Sequence, residues 1–179
     1  EKYLIYLHGS TDFQSTILRF ATAFGLSPRM RFDLTISEFT RELALGRELL
    51  VYDPETWRPY CHVKDFSRLI EKVLKADARK VANQIFNSGG AMNNYTKKMV
   101  VDEILKLLPH SKIKYLAKGS DPRNYKVNFT KVQKTLDFLP KYTVFDGVSE
   151  LFNAINNNVF DMVETNKEFF GNYYLDYGK

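Results

Sequence analysis

With 179 residues, 44% of them apolar and 15% aromatic, the chain is long enough for one domain with a real core and does not have the composition of a disordered segment. The 26 Lys and Arg residues against 21 Asp and Glu leave a net charge of +5, dispersed over groups such as Arg29/Arg31, Lys97/Lys98 and Lys112/Lys114/Lys118, a pattern that favours small anionic ligands and argues against a nucleic-acid track. The single Cys61 permits no internal disulfide and fits a reducing cytoplasm; no apolar run approaches a membrane span and no secretory or transit segment is recognisable.

In chain order, residues 1–7 have the look of the last turns of a helix, with Gly9 as its stop. The apolar run from Ser15 to Phe20 predicts a buried strand in a parallel sheet with both faces covered. The small residues that follow, Ala21 to Ala23, would let a flat ligand approach the backbone beyond the carboxyl end of that strand. Residues 26–33 form a Pro-containing loop carrying Arg29 and Arg31, and residues 34–46 an amphipathic helix closed by Gly46.

The chain is organised around Leu49 to Phe66. Leu49, Leu50, Val51 and Tyr52 favour a strand, Asp53 to Thr56 is turn chemistry, and a second short strand is expected to fold back as a hairpin carrying Trp57, Arg58, Pro59 and Tyr60. Asp65 is expected to cap a helix over Phe66 to Ala76, with Leu69, Ile70, Val73 and Leu74 on its inner face. Arg58, held between a strand pair and a helix start, suits bidentate contact with phosphate or carboxylate, and the competing reading is a surface Arg in a hairpin.

Residues 84–88 read as a strand ending in Gly89-Gly90, which lacks the spacing of a dinucleotide-binding fingerprint. Thr96 is expected to cap a helix through Leu108, with Met99 in the core. Residues 112–116 alternate as a half-buried strand. A polar turn from Lys118 to Tyr125 precedes a strand over residues 126–129, and helices follow over residues 130–139, 143–156 and 159–170. The three His residues are dispersed, so no metal site is read. Tyr60-x-x-x-Lys64 has the spacing of a hydride-transfer Tyr-Lys pair, but it straddles a strand-to-helix junction where the two side chains would not share a face.

Taken in order, ILRFATAFG, SPRMRFD, RPYCHVKD, IFNSGG, DPRNYKVNFTKV and LDFLPKYTVFDGVSEL resemble the carboxyl-terminal half of the extended short-chain dehydrogenase/reductase family, the NAD-dependent epimerases and dehydratases of nucleotide sugars. The most specific piece is Arg58 to Asp65, similar to the family's Arg-x-x-x-His-Val-x-Asp. The resemblance implies an α/β fold: incomplete Rossmann-type parallel sheet elements (around 15–25 and 62–90) interleaved with a small mixed α/β substrate-binding domain (around 26–61 and 91–179). It further implies a substrate-binding portion of an NAD- or NADP-dependent enzyme, inactive alone because the glycine-rich loop and the family's Tyr-x-x-x-Lys pair are absent; the alternative is a non-catalytic binding or regulatory module of the same fold. It assigns Ala21 to the nicotinamide, and Thr22, Arg31, Arg58, Lys118, Arg123 and Tyr125 to the nucleotide-sugar substrate, with Arg58 on the diphosphate. Thr22 stands where many members place an Asn. The implied partners are a nucleotide sugar and, at full length, a second copy in a homodimer, with no nucleic acid and no membrane.

Overall fold

The computed structural model describes residues 1–8, 11–117, 123–166 and 168–171. In chain order its elements are α1 (Lys2–His8), β1 (Thr16–Phe20), β2 (Thr22–Phe24), α2 (Thr35–Ala44), β3 (Leu49–Tyr52), β4 (Trp57–His62), α3 (Val63–Lys75), α4 (Ala78–Val81), β5 (Gln84–Ser88), β6 (Asn94–Thr96), α5 (Lys97–Leu105), β7 (Ile113–Leu116), α6 (Thr130–Leu136) and α7 (Val144–Asn156). Short 3-10 turns at Ala91–Asn93 and Asp161–Val163 complete them. The expected helix stop at Gly9 and the turn residues around Lys118 lie outside the described residues.

Among the described residues three small sheets form, and pairing across long sequence gaps dominates them. β1 runs parallel to β5, β2 parallel to β4, β3 parallel to β7, and only β4 with β6 is antiparallel. Parallel pairs need crossover connections, which α2, α3 and α5 supply, so the fold is mixed α/β as the residues suggest. One apolar cluster gathers Ile36, Phe39 and Leu43 of α2, Val100, Val101 and Ile104 of α5, and Val144 and Val148 of α7 against Phe24, Leu49, Val51 and Tyr60. A second packs Leu69 and Phe86 with Val132, Leu136 and Phe138.

The hairpin expected around Arg58 does not form. After Tyr52 the chain turns, with Thr56 N–H donating to the Asp53 carbonyl at 3.1 Å and Asp53 in the left-handed region at φ 51°. β3 then pairs with β7 while β4 enters the sheet of β2 and β6, because buried Leu49 and Val51 direct β3 into the first cluster from a different side. Thr22–Phe24, read only as a run of small residues, is the strand that β4 pairs with instead.

The helix after β4 starts earlier than expected and Asp65 does not cap it. His62 is the N-cap: its Nδ1 accepts from Lys64 N–H at 3.1 Å, which places the ring proton on Nε2, 3.0 Å from Glu150 Oε2. The fully buried imidazole stacks on Tyr142 with centroids 4.5 Å apart and meets Phe24 edge-on at 5.2 Å. Gly25 is obligatory beside it. Its φ is +100°, and a Cβ there would stand 2.3 Å from His62 Nε2.

Asp65, also fully buried, accepts from the backbone N–H groups of Lys141 (3.0 and 3.1 Å) and Tyr142 (3.0 Å) and pairs with Arg68. It thereby fixes α3 to the segment that leads into α7. α7 itself opens with a full capping box, Thr143 and Asp146 exchanging hydrogen bonds.

Five further expectations are corrected. β1 is half-buried at Thr16–Leu18 and exposed at Arg19 and Phe20, since β5 is its sole partner among the described residues. Ile70 and Leu74 of α3 are 43% and 79% exposed, because the helix buries the Asp65–Leu69 side. Met99 lies on the outer face of α5, which ends at Leu105. Residues 126–129 are not a strand: the Asn94 side-chain amide takes both backbone groups of Val127, donating to its carbonyl and accepting from its N–H at 3.1 Å each, and so replaces a ladder partner. Residues 159–166 and 168–170 contain a 3-10 turn and further turns in place of a helix.

Removing the Asp65 carboxylate leaves two backbone N–H groups without their acceptor and the Arg68 guanidinium without its carboxylate partner. Asp65→Ala is therefore expected to lower unfolding stability by about 3 kcal/mol, and Arg68→Ala, which keeps the backbone donors satisfied, by about 1 kcal/mol. Urea unfolding followed by circular dichroism measures both, and equal losses would show that the tether acts through Arg68 alone.

Candidate functional site

β4 begins with Trp57 and Arg58, and the segment 123–126 crosses beside it. Tyr125 N–H donates to the Trp57 carbonyl at 3.3 Å, and Trp57 N–H donates to Asn124 Oδ1 at 2.9 Å. The side chains then exchange places. Arg58 Cζ, from the strand, lies 5.5 Å from the Tyr125 ring centroid, while Lys126 Nζ, from the crossing segment, sits 3.5 Å over the Trp57 ring. Arg58 Nη1 also donates to the Trp57 carbonyl at 3.0 Å. The guanidinium is half-buried and held beside a ring by these contacts.

Thr22 is paired in register with Tyr60, and Ala21 precedes it, so the end of β1 lies at the edge of this strand pair nearest Pro59 and Arg58. Ala21 N–H donates to the Ser88 carbonyl at 3.2 Å, and its Cβ would be 3.5 Å from a Cβ at Gly89. Gly89-Gly90 has a packing explanation: side chains there would collide with the Phe129 ring and with Pro140. A cleft of about 470 Å³ opens beside them, lined by Gly89, Gly90, Asn94, Lys126 and Phe129 among others. A larger hollow of about 560 Å³, between the end of α3 and α6, contains none of the expected site residues.

The fold thus joins Ala21, Thr22, Arg58 and Tyr125 through adjoining backbone. Arg123 opens the crossing segment. Arg31 turns elsewhere, its Nε and Nη2 each 2.6 Å from the two carboxylate oxygens of Asp33; this forked hydrogen bonding raises the pKa of Arg31 and lowers that of Asp33. Lys118 lies outside the described residues. Trp57, Asn124 and Lys126 were missed. Their one signal in the sequence is adjacency to Arg58 and Tyr125, and which cation meets which ring depends on the crossing.

Tyr60 and Lys64 do not form a Tyr-Lys pair. Tyr60 is 1% exposed and Lys64 reaches over the surface to Glu150. Burial pushes the Tyr60 hydroxyl's pKa up, with the nearby Thr35 and Arg58 pulling the other way. Among the described residues there is no group of three His, Cys, Asp or Glu side chains that could hold a metal ion, and no helix long and apolar enough to cross a membrane.

The family model for NAD dependent epimerases/dehydratases matches residues 1–89, and the dTDP-glucose 4,6-dehydratase of Bacillus anthracis, solved with NAD, is 25% identical and superposes on 89% of the chain with a TM-score of 0.73. The chain belongs to the NAD-dependent epimerase/dehydratase family. Two further relatives share the fold of this epimerase/dehydratase chain at lower identity. An epimerase of Methanothermobacter thermautotrophicus covers 92% of it at 16% identity and a TM-score of 0.77; the UDP-glucose 4-epimerase of Thermotoga maritima, solved with UDP-glucose, covers 88% at 21% and 0.72. The chain spans about half the length of the structures it matches, 50%, 49% and 51% respectively.

Within this family member, Cys61 follows Tyr60 into the core, and burial pushes its thiol pKa up to about 12. The thiol therefore stays protonated through neutral and mildly alkaline pH. Ellman's reagent is expected to leave Cys61 unmodified at pH 8 in the folded protein and to titrate one thiol in urea; rapid labelling without denaturant would contradict the packing of β4.

Proposed function

We propose that this chain is the substrate-binding portion of an NAD(P)-dependent nucleotide-sugar epimerase, dehydratase or reductase. On this reading residues around 15–25 and 62–90 are the last elements of the nucleotide-binding sheet, and residues around 26–61 and 91–179 form the substrate domain. The observation that carries it is the exchange of cations and rings between β4 and the 123–126 segment, which holds Arg58 beside the strand that bears Thr22. A guanidinium already ordered by a ring and a carbonyl loses less freedom when it grips a diphosphate, and its planar fork matches phosphate oxygens in pairs. The NAD bound to the Bacillus anthracis relative and the UDP-glucose bound to the Thermotoga maritima one support the same ligand classes here.

NAD(P), when bound, supplies a nicotinamide that takes up and returns a hydride. The fit of this chain to it is confined to the end of β1, where Ala21 offers only a methyl group at the carboxyl end of a parallel strand pair and leaves room for a flat ring. The 179 residues contain no glycine-rich fingerprint, and the one Tyr-x-x-x-Lys spacing has its members apart, so by itself the chain is proposed not to transfer hydride. Its own residues bind and orient. Arg58 and Arg123 face the diphosphate with Tyr125 behind Arg58, Thr22 offers a hydroxyl to the sugar, and Arg31 takes part by exchanging Asp33 for the ligand. Lys118 is assigned to the same anion by its place in the loop. Binding energy gathered on the diphosphate then positions the sugar, remote from the charge. A reducing cytoplasm is the compartment proposed, on the single Cys61.

Calorimetry of UDP-glucose and dTDP-glucose binding to the full-length protein tests this reading. Arg58→Ala is expected to weaken the better ligand roughly tenfold to a hundredfold, the range for hydrogen bonds to a charged group, with unchanged thermal melting. Unaltered affinity would remove Arg58 from the site.

A further inference from the structure

We infer that the segment following α7, residues 160–166 and 168–171, is a salt-sensitive strap that holds the loop between β2 and α2 in place. The strap does not rest on the proposed function.

The loop contains Pro28, Arg29 and Arg31 and leads into α2, whose N-cap Leu34 makes no side-chain capping bond. Part of its order is local, from buried Met30 and from the Ser27 hydroxyl donating to the Arg29 carbonyl at 2.8 Å, and part comes from far along the chain. Phe32 N–H donates to the Phe170 carbonyl at 2.8 Å, and Arg29 Nη2 donates to the Gly171 carbonyl at 2.8 Å. The Phe32 ring meets Phe160 at 5.3 Å and Phe170 at 5.8 Å between centroids, and Arg41 lies 5.4 Å over its face. At the other end Glu164 accepts from Arg41 at 2.9 Å and Arg47 at 2.7 Å, one on α2 and one just beyond it.

These contacts are shallow. Val163 is buried, but Val159, Met162 and Phe169 are 63%, 64% and 44% exposed, and the Glu164 and Arg47 side chains are nearly half exposed. Segments with few buried apolar contacts open locally without global unfolding, and exposed ion pairs weaken as salt screens them. Hydrogen bonds from Arg47 and Arg41 hold the Glu164 carboxyl at a pKa of about 2, so the clasp stays ionised across the pH range of ordinary work and salt, not pH, is what loosens it.

The position of the loop gives the strap its consequence. It joins the strand bearing Thr22 to the helix whose first residue, Thr35, stands beside the Tyr60 hydroxyl, and Tyr60 is two residues along β4 from Arg58. Releasing Phe32 loosens the backbone that carries the Arg31–Asp33 pair, between Thr22 of β2 and Thr35 of α2.

Limited trypsin digestion of the full-length protein, read by mass spectrometry, tests the strap through cleavage after Arg29 and Arg31. Glu164→Gln is expected to speed cleavage at these positions about fivefold, as loss of two exposed pairs would, and Phe170→Ala at least as much, with cleavage after Lys75 and Lys106 unchanged. Raising the salt concentration should speed the same cleavage in the wild type and have little further effect in Glu164→Gln. Unchanged cleavage in both variants, acceleration shared equally by Lys75 and Lys106, or an identical salt response in wild type and Glu164→Gln would each overturn the inference. Should Phe170→Ala fail to fold, Glu164→Gln and its salt response decide the matter alone.

Discussion

Everything else in the structure depends on a carboxylate taken wholly out of water. Asp65 sits early in α3, where a charge without partners would be prohibitively destabilising, and it is tolerated because two backbone N–H groups and a guanidinium converge on it. Those N–H groups belong to Lys141 and Tyr142, so the charge can be buried only if the last third of the chain is folded against α3. Tyr142 then stacks on His62, which caps α3 and reaches Glu150 on α7. Two residues of the most family-specific segment, His62 and Asp65, thus serve the architecture, and on the proposed function Arg58 serves the ligand.

That division explains why the site is built as it is. β4 is anchored at its carboxyl end by His62 and the α3 start, so its amino end can present Trp57 and Arg58 at a fixed position. The crossing segment gains its own fixed position from Asn94, whose amide holds Val127, and from the reciprocal cation and ring contacts with β4. A guanidinium positioned by two independent supports is a better anion ligand than one at the tip of a mobile hairpin, since less side-chain freedom remains to be lost on binding.

The strand-turn-strand order within the organising stretch, both ends of α2, the cap at Thr96 and the α/β class were legible in the residues because each rests on local chemistry: β-favouring runs, a stopping glycine, a hydroxyl before helical spacing. Expectations failed where pairing is non-local. A strand followed by a turn and a strand reads as a hairpin, yet β3 finds β7 across 60-odd residues, several times the dozen or so that a parallel crossover needs. Asp65 reads as a cap because the backbone donors it serves are 76 and 77 positions away.

For the site, the sequence by itself determined which charged and aromatic residues are available and, through its order of motifs, which family they belong to. Only the tertiary structure decided their partners. Arg58 is set beside the Tyr125 ring and Lys126 over Trp57, because direction in space follows from the crossing of distant segments and a one-dimensional order of residues carries no such crossing; Arg31 is claimed by Asp33 two residues on, through the local turn of its loop.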